Sequence, residues 1–348
     1  MTSVAPVVVI VEGRRVREVL RASEYRARPG DLLVDVGGAT LLPGLIDAHV
    51  HLTIGGAPAA NAAADVRAGF TTVADLGARS DAVVRLRDSV AAGLVPGPRI
   101  LAAGLWVGVR GGVCEFGGIG VPRDSGAIAA RVRQNLSMGA DLIKLCVTGW
   151  PALGWSDPDS VELRAPWLAG PVAQAHGAGR IAVAHAIGRQ GVAEALAAGV
   201  DGLAHAAFLD SALIARMRRQ GMWMIPTLAS LTAGDTTPAS RALAAAVRAA
   251  HAGGVRLVFG TDGGVLPHGR NAEEALALAR VGLSPAEILR AATSDAAAAL
   301  GIADSVGAVR PGMLADLVAV DGDPLTDAAA LTRPRFVMAA GRVVRQAP

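Results

Sequence analysis

Residues 44–52 read GLIDAHVHL. The stretch has the apolar character of a buried strand, yet it carries Asp47, His49 and His51. Polar groups inside a core are costly unless something satisfies them. Side chains two apart on a strand project to the same side, so His49 and His51 point together, with Asp47 in phase behind them. A single strand histidine is ordinarily a hydrogen-bonded core residue. Two in this spacing raise the question of a ligand. Asp47 reads equally well as a deeper support for the histidines and as part of a capped turn or ion pair.

Seven further segments resemble the run Leu41–Leu52: 70–76, 99–106, 141–147, 181–186, 201–206, 222–228 and 256–262. Helical stretches lie between them, among them 81–92, 128–138 and 211–220. Alternating strands and helices indicate parallel βαβ units. Eight such units predict an α/β fold of the (β/α)8 TIM barrel type, which typically takes ~250 residues. An open doubly wound sheet is the alternative, but no GxGxxG follows the first strand to support it. The two ends differ. VVVIVEG and DLLVDVGG near the start, and GAVRPGMLADLVAVDGDPL and RFVMAAGRVV near the end, alternate polar and apolar residues between Gly, Asp and Pro turns. They predict a small β-sandwich domain formed by residues 1–40 plus 307–348, with the catalytic barrel over 41–306.

In a (β/α)8 barrel, active sites form at the C-terminal ends of the strands. His49 and His51 end the first run, Lys144 lies on the fourth, His185 on the fifth, His205 on the sixth and Asp262 on the eighth. Imidazole and carboxylate suit zinc and similar divalent ions. Four histidines and one aspartate exceed what one tetrahedral catalytic zinc takes from a protein, whereas two metals would use them well. Lys144 is the only lysine among 33 lysines and arginines. It reads as a member of this group or as a lysine paired with a buried carboxylate.

Composition bounds the remainder. The 348 residues are 52% hydrophobic with 43 glycines, ample for a large core. No run of about 18 apolar residues suggests a membrane span, and the start MTSVAPVVVIVEG does not read as a secretion signal. The pI of about 9.5 accompanies a formal net charge of only +3 with scattered arginines, so no nucleic-acid partner is expected. Cys114 and Cys146 do not make a disulfide framework, and a cytoplasmic location is the default. Cys146 reads as a small core side chain. The apolar fraction is compatible with a homo-oligomer.

HVH after LLPGLID, with Lys144, His185, His205 and Asp262 on later strands, is similar to the amidohydrolase superfamily. GAVRPGMLADLVAVDGDP resembles its C-terminal signature. GTDGG and PHGRN resemble the subgroup of imidazolonepropionase-like proteins and Xaa-Pro dipeptidases. The resemblance spans essentially the whole chain. It implies two divalent metals, most simply zinc, with His49, His51 and Asp262 on one and His185 and His205 on the other. It also implies that Lys144 is carboxylated by CO2 and bridges both, because an ammonium has no lone pair to give. Asp262 would then move a proton between a hydroxide bridging the metals and the leaving nitrogen of a small-molecule amide or cyclic amide.

Trp106, Trp150, Trp155 and Phe208 fall on the same face and could receive an apolar substrate group; ordinary loop packing explains each equally well. Arg110 and Arg189 could clamp a carboxylate, or be solvated surface charges. His268 could contact substrate or support the metals. The GGVCEF loop after the third run lacks the Gly-Gly-His of prolidase-like relatives, and the one tyrosine, Tyr25, lies near the N-terminus. A dipeptide ending in proline is therefore a poor expectation. Lactone or ester hydrolysis, and cyclisation or dehydration, could use the same metals. A mononuclear deaminase would not need Lys144, and a non-catalytic scaffold would not need the ligand set.

Overall fold

The computed structural model describes residues 6–115, 118–150, 160–232 and 238–346. The chain begins with strands β1 (Val7–Glu12) and β2 (Arg15–Arg21), then β3 (Thr40–Pro43) and β4 (Leu45–Val50). Alternation follows: α1 (Pro58–Arg67), β5 (Phe70–Asp75), α2 (Ala82–Ala91), β6 (Arg99–Ala102), α3 (Ser125–Ser137) and β7 (Ile143–Cys146). It continues through α4 (Ala165–Gly177), β8 (Ala182–Ala186), α5 (Arg189–Ala198), β9 (Gly202–His205), α6 (Ser211–Gln220) and β10 (Trp223–Ile225). Helices α7 (Leu228–Thr232) and α8 (Pro238–Ala252) precede β11 (Arg256–Leu257), and α9 (Glu273–Arg280), α10 (Pro285–Ala291) and α11 (Ser294–Ala299) follow it. Strands β12 (Leu317–Val320), β13 (Pro334–Ala339) and β14 (Arg342–Gln346) close the chain.

Each of the eight apolar runs contains a strand, and these strands are parallel. They form a three-stranded sheet, β4-β5-β6, and a five-stranded sheet, β11-β10-β9-β8-β7. Val107 N donates to Lys144 O and Cys146 N to Val107 O, joining the segment after β6 to β7. Ala48 N donates to Phe259 O, and Asp262 N to His49 O, joining β4 to the segment after β11. Strands β4, β5, β7, β8, β9 and β10 are buried along their whole length. This explains why they read as continuous apolar runs: helices cover a parallel sheet on its outer face. Leu213, Ile214 and Met217 of α6 face inward while Arg218 and Arg219 face solvent, and Asp210 caps that helix by accepting from Leu213 N. Among the described residues, no helix is long and apolar enough to cross a membrane.

The first run does not stay one strand. It divides at Gly44. Residues 40–43 pair antiparallel with β12 in a four-stranded sheet, β14-β13-β12-β3, while 45–50 enter the parallel sheet. The hairpin β1-β2 packs near this sheet. Val9 and Val11 meet Leu317, Ala319 and Phe336 in one apolar cluster, and Val16 N donates to Met313 O.

The expectation for the cysteines is corrected: Cys114 and Cys146 form a disulfide across a sequence separation of 32. Cys146 lies two residues beyond Lys144 on β7, so both side chains point to one face. The loop after β6 folds back over that face. A methyl on Gly108 would lie 2.8 Å from Cys114 Cβ, so only glycine there permits the approach. Glu162 holds the same loop by accepting from Val113 N at 2.9 and 3.0 Å.

Candidate metal centre

His49, His51, Lys144, His185, His205 and Asp262 are brought together at the C-terminal ends of their strands, each between 1% and 8% exposed. Ring centroids are 5.2 Å apart for His49 and His51, 5.3 Å for His49 and His205, and 4.7 Å for His185 and His205. Asp262 Oδ1 lies 3.3 Å from Nε2 of both His49 and His51. Ligand atoms of His49, His205 and Asp262 fall within 4.8 Å of one another, so these three form a group that could hold a metal ion.

The hydrogen bonds decide where the ring protons sit. A carbonyl oxygen only accepts. His51 Nδ1 therefore donates to Gly77 O at 3.1 Å, and His185 Nε2 donates to Gly149 O at 3.1 Å. The Thr227 hydroxyl donates its one proton to Pro226 O at 2.7 Å, so it must accept from His205 Nδ1 at 2.8 Å. The lone pairs of the singly protonated rings are then at His51 Nε2, His185 Nδ1 and His205 Nε2. Burial keeps His49, His185 and His205 neutral. It pushes His185 down to about 4, and His49 and His205 well below the usual histidine range. His49 Nε2 and His51 Nε2 stand 3.3 Å apart.

Lys144 Nζ is buried and has no hydrogen-bond partner. Burial lowers its pKa to about 7, and the nearby Asp262 carboxylate only partly offsets this. A cluster of lone pairs and a carboxylate, with an unpartnered amine, fits cations and a carboxylated lysine. It does not fit a closed hydrogen-bonded core.

Backbone strain marks the same place. His205, Thr227 and Asp262 have φ of 73°, 52° and 60° without being glycine. Such conformations cost about 1–3 kcal/mol each and persist where surrounding structure enforces them. Asp262 N donates to His49 O at 2.8 Å, tying the segment after β11 to β4. A methyl on Gly260 would collide with Ile225 Cγ2 and sit 3.1 Å from His49 N, so glycine is required for that approach.

Asp47 is a support. Its carboxylate accepts from His49 N, Thr261 N, Thr261 Oγ1 and Asn271 Nδ2. Burial pushes it up to about 7 against four donors that favour the ionised form. His268 also lies behind the cluster. Its Nδ1 faces Asp65 Oδ2 at 2.9 Å and its Nε2 faces His51 O at 3.3 Å.

Three supports were missed in the sequence. Asp75 accepts from Leu52 N and Gly77 N. Glu274 accepts from Leu228 N and Ala229 N. Thr227 orients His205. A carboxylate inside FTTVAD or EEALALA was the available signal; a threonine gives none.

The expected pocket residues divide. The Trp106 ring lies 5.4 Å from His51, and Trp150 lies 5.4 Å from His185 and 4.9 Å from His205. Trp106 packs with the Cys114–Cys146 bridge, Ile54, Val113 and Ile119. Phe208 is 36% exposed. Arg110 is exposed. Arg189 points to solvent and pairs with Asp210 at 2.7 Å, so it does not join the cluster. Trp155 lies outside the described residues.

The chain is similar in sequence and fold to known proteins. The amidohydrolase family profile matches residues 40–344. An uncharacterised protein of Mycobacterium tuberculosis H37Rv is 30% identical over 342 residues, covering 88% of this chain and 85% of its own. A Xaa-Pro dipeptidase solved with methionine in its active site superposes with a TM-score of 0.90 at 26% identity, over 96% of this chain and 94% of that one. A prolidase complexed with N-methylphosphonate-L-proline gives a TM-score of 0.85 at 25% identity, over 97% and 94%.

Proposed function

The chain belongs to the amidohydrolase family, and from that premise we propose that it is a binuclear metal-dependent hydrolase of an amide or cyclic amide bond in a small molecule. His49, His51 and Asp262 would hold one ion and His185 and His205 the other, with carboxylated Lys144 shared. Two divalent ions, zinc foremost, would supply Lewis acidity and lower the pKa of a water. The barrel reading, a closed (β/α)8 ring over 41–306 with a small β-sandwich from 1–40 and 307–348, is supported by hydrogen bonds at both seams between the parallel sheets.

One observation carries the proposal. The lone pairs of His51, His185 and His205 are fixed by hydrogen bonds on their opposite nitrogens, beside a carboxylate and a buried amine without a partner. Lys144 suits carboxylation because a pKa near 7 leaves much of the amine unprotonated at neutral pH. The neutral nitrogen can add to CO2, releasing one proton and forming a carbamate. Asp262 Oδ1 stands 3.3 Å from Nε2 of His49 and His51, with which it would share the first ion, and that leaves Oδ2 to take a proton from the attacking water and return it to the leaving nitrogen. Trp106 with the disulfide, beside His51, and Trp150, beside His185 and His205, offer apolar walls suited to an apolar or aromatic substrate group.

The test is a screen of amides, lactams and lactones on metal-loaded protein, with Asp262→Asn in parallel. Amide or lactam turnover that falls by at least about a hundredfold in Asp262→Asn is expected. Turnover unchanged in the variant contradicts the assignment, and turnover of lactones alone moves the chemistry to ester hydrolysis.

A further inference from the structure

A cavity of about 610 Å³ lies in the seam between the parallel strands and the small terminal sheets. It is at the far end of the strands from the metal centre. Thr71, at the start of β5, lines it, whereas Asp75, four residues on, holds the loop beneath His51. Four residues of strand span ~13 Å. The size is in the range of small-molecule sites.

The walls combine an apolar bed with an excess of positive charge. Val90, Val95, Val343 and Val344 supply the bed. Five arginines line the space: Arg14, Arg67, Arg87, Arg99 and Arg342. Arg87 is spent on Asp141 at 2.7 Å and Asp88 at 2.9 Å. Arg99 is spent on Asp316 Oδ2 at 2.7 Å, and Asp316 Oδ1 accepts from Ala340 N at 2.6 Å. Asp316 is the acidic residue in the lining, and both its oxygens are thereby used. Among the described residues, Arg14, Arg67 and Arg342 have no acidic partner. The Arg342 guanidinium lies against Gly93, where a methyl would stand 3.2 Å from Nη2. A half-enclosed space lined by uncompensated cations concentrates anions, and a guanidinium fork matches a carboxylate in two-point fashion. Valine walls favour an apolar body behind that head group.

We infer that this cavity is a binding site for an organic carboxylate with an apolar tail, separate from the metal centre. The head group meets Arg67, Arg342 and Arg14, and the tail lies along Val90, Val95 and Val343.

The test is calorimetric titration of the full metal-loaded chain with octanoate. Octanol and inorganic phosphate serve as comparators for the tail and the charge alone. Saturable one-to-one octanoate binding is expected, weakened at least about tenfold by Arg67→Ala/Arg342→Ala. Octanol and phosphate should each bind at least about tenfold more weakly than octanoate. Val343→Glu, which places a carboxylate in the apolar wall, should weaken octanoate similarly if the double variant does not fold. The inference is overturned by absent binding, or by binding that survives both variants, which places octanoate elsewhere. Octanol or phosphate binding as tightly as octanoate also overturns it, as does self-association of the chain that buries the cavity. None of these outcomes depends on hydrolytic activity.

Discussion

Replacing Thr227 by valine should loosen one metal without unfolding the protein. Valine keeps the shape and the β-branching, so the left-handed backbone at φ 52° is burdened as before. Only the hydroxyl is lost, and with it the acceptor 2.8 Å from His205 Nδ1 and the donor to Pro226 O. A buried donor left without a partner costs about 1–3 kcal/mol. The imidazole can avoid that cost by turning or by shifting its proton to Nε2, and either removes the lone pair from the site. Loss of such a supporting hydrogen bond typically weakens metal affinity about 10–100-fold. Competition with a chromophoric chelator should show one ion per chain weakened by that factor and the other nearly unchanged. kcat/KM should fall in parallel, and Thr227→Ser should restore most of both. Wild-type affinity for both ions in Thr227→Val would refute the reasoning, as would failure of serine to restore it while the fold is intact.

Reducing the Cys114–Cys146 bridge opens a loop of sequence separation 32, worth about 3–4 kcal/mol in chain entropy. A thiol reductant should therefore lower the melting temperature by several degrees in wild type and leave Cys114→Ala unmoved. Gly260→Ala should cost about 1–3 kcal/mol by overpacking against Ile225 and His49. It should reduce activity more than stability, because Asp262 moves with that segment; melting curves and kcat/KM together check this. Burial raises Glu274 to about 8. The folded state therefore keeps a proton that the unfolded state sheds near pH 4.5, and this stabilisation is present at low pH and lost as pH rises through 8. The stability difference between wild type and Glu274→Gln, measured by denaturant titration of the apo-protein, should narrow from pH 5 to pH 8. A constant difference would show that Glu274 does not titrate in that window.

Much of the parallel architecture was legible because strands buried on both faces leave uninterrupted apolar runs, and helices between them leave a different period. The ligand residues were legible because His49, His51, Lys144, His185, His205 and Asp262 interrupt such runs near their ends. Other features depend on chain paths that periodicity does not encode. The division of 41–52 at Gly44 is invisible because both halves are apolar strand. The cysteine pairing depends on a loop whose return over β7 is permitted by Gly108. Arg189, at the start of α5, and His268, in the loop after β11, lie next to the mouth in sequence, but their side chains turn to Asp210 and Asp65 instead. Thr227 resembles any buried threonine until the Pro226 carbonyl claims its proton.

Elemental analysis of metal per chain, on protein expressed with added zinc and bicarbonate, tests the central claim most directly. Close to two ions per chain in wild type, falling to one or fewer in Lys144→Met with the fold intact, is the predicted result. One ion or none in well-folded wild type that also refuses added metal would contradict the binuclear centre.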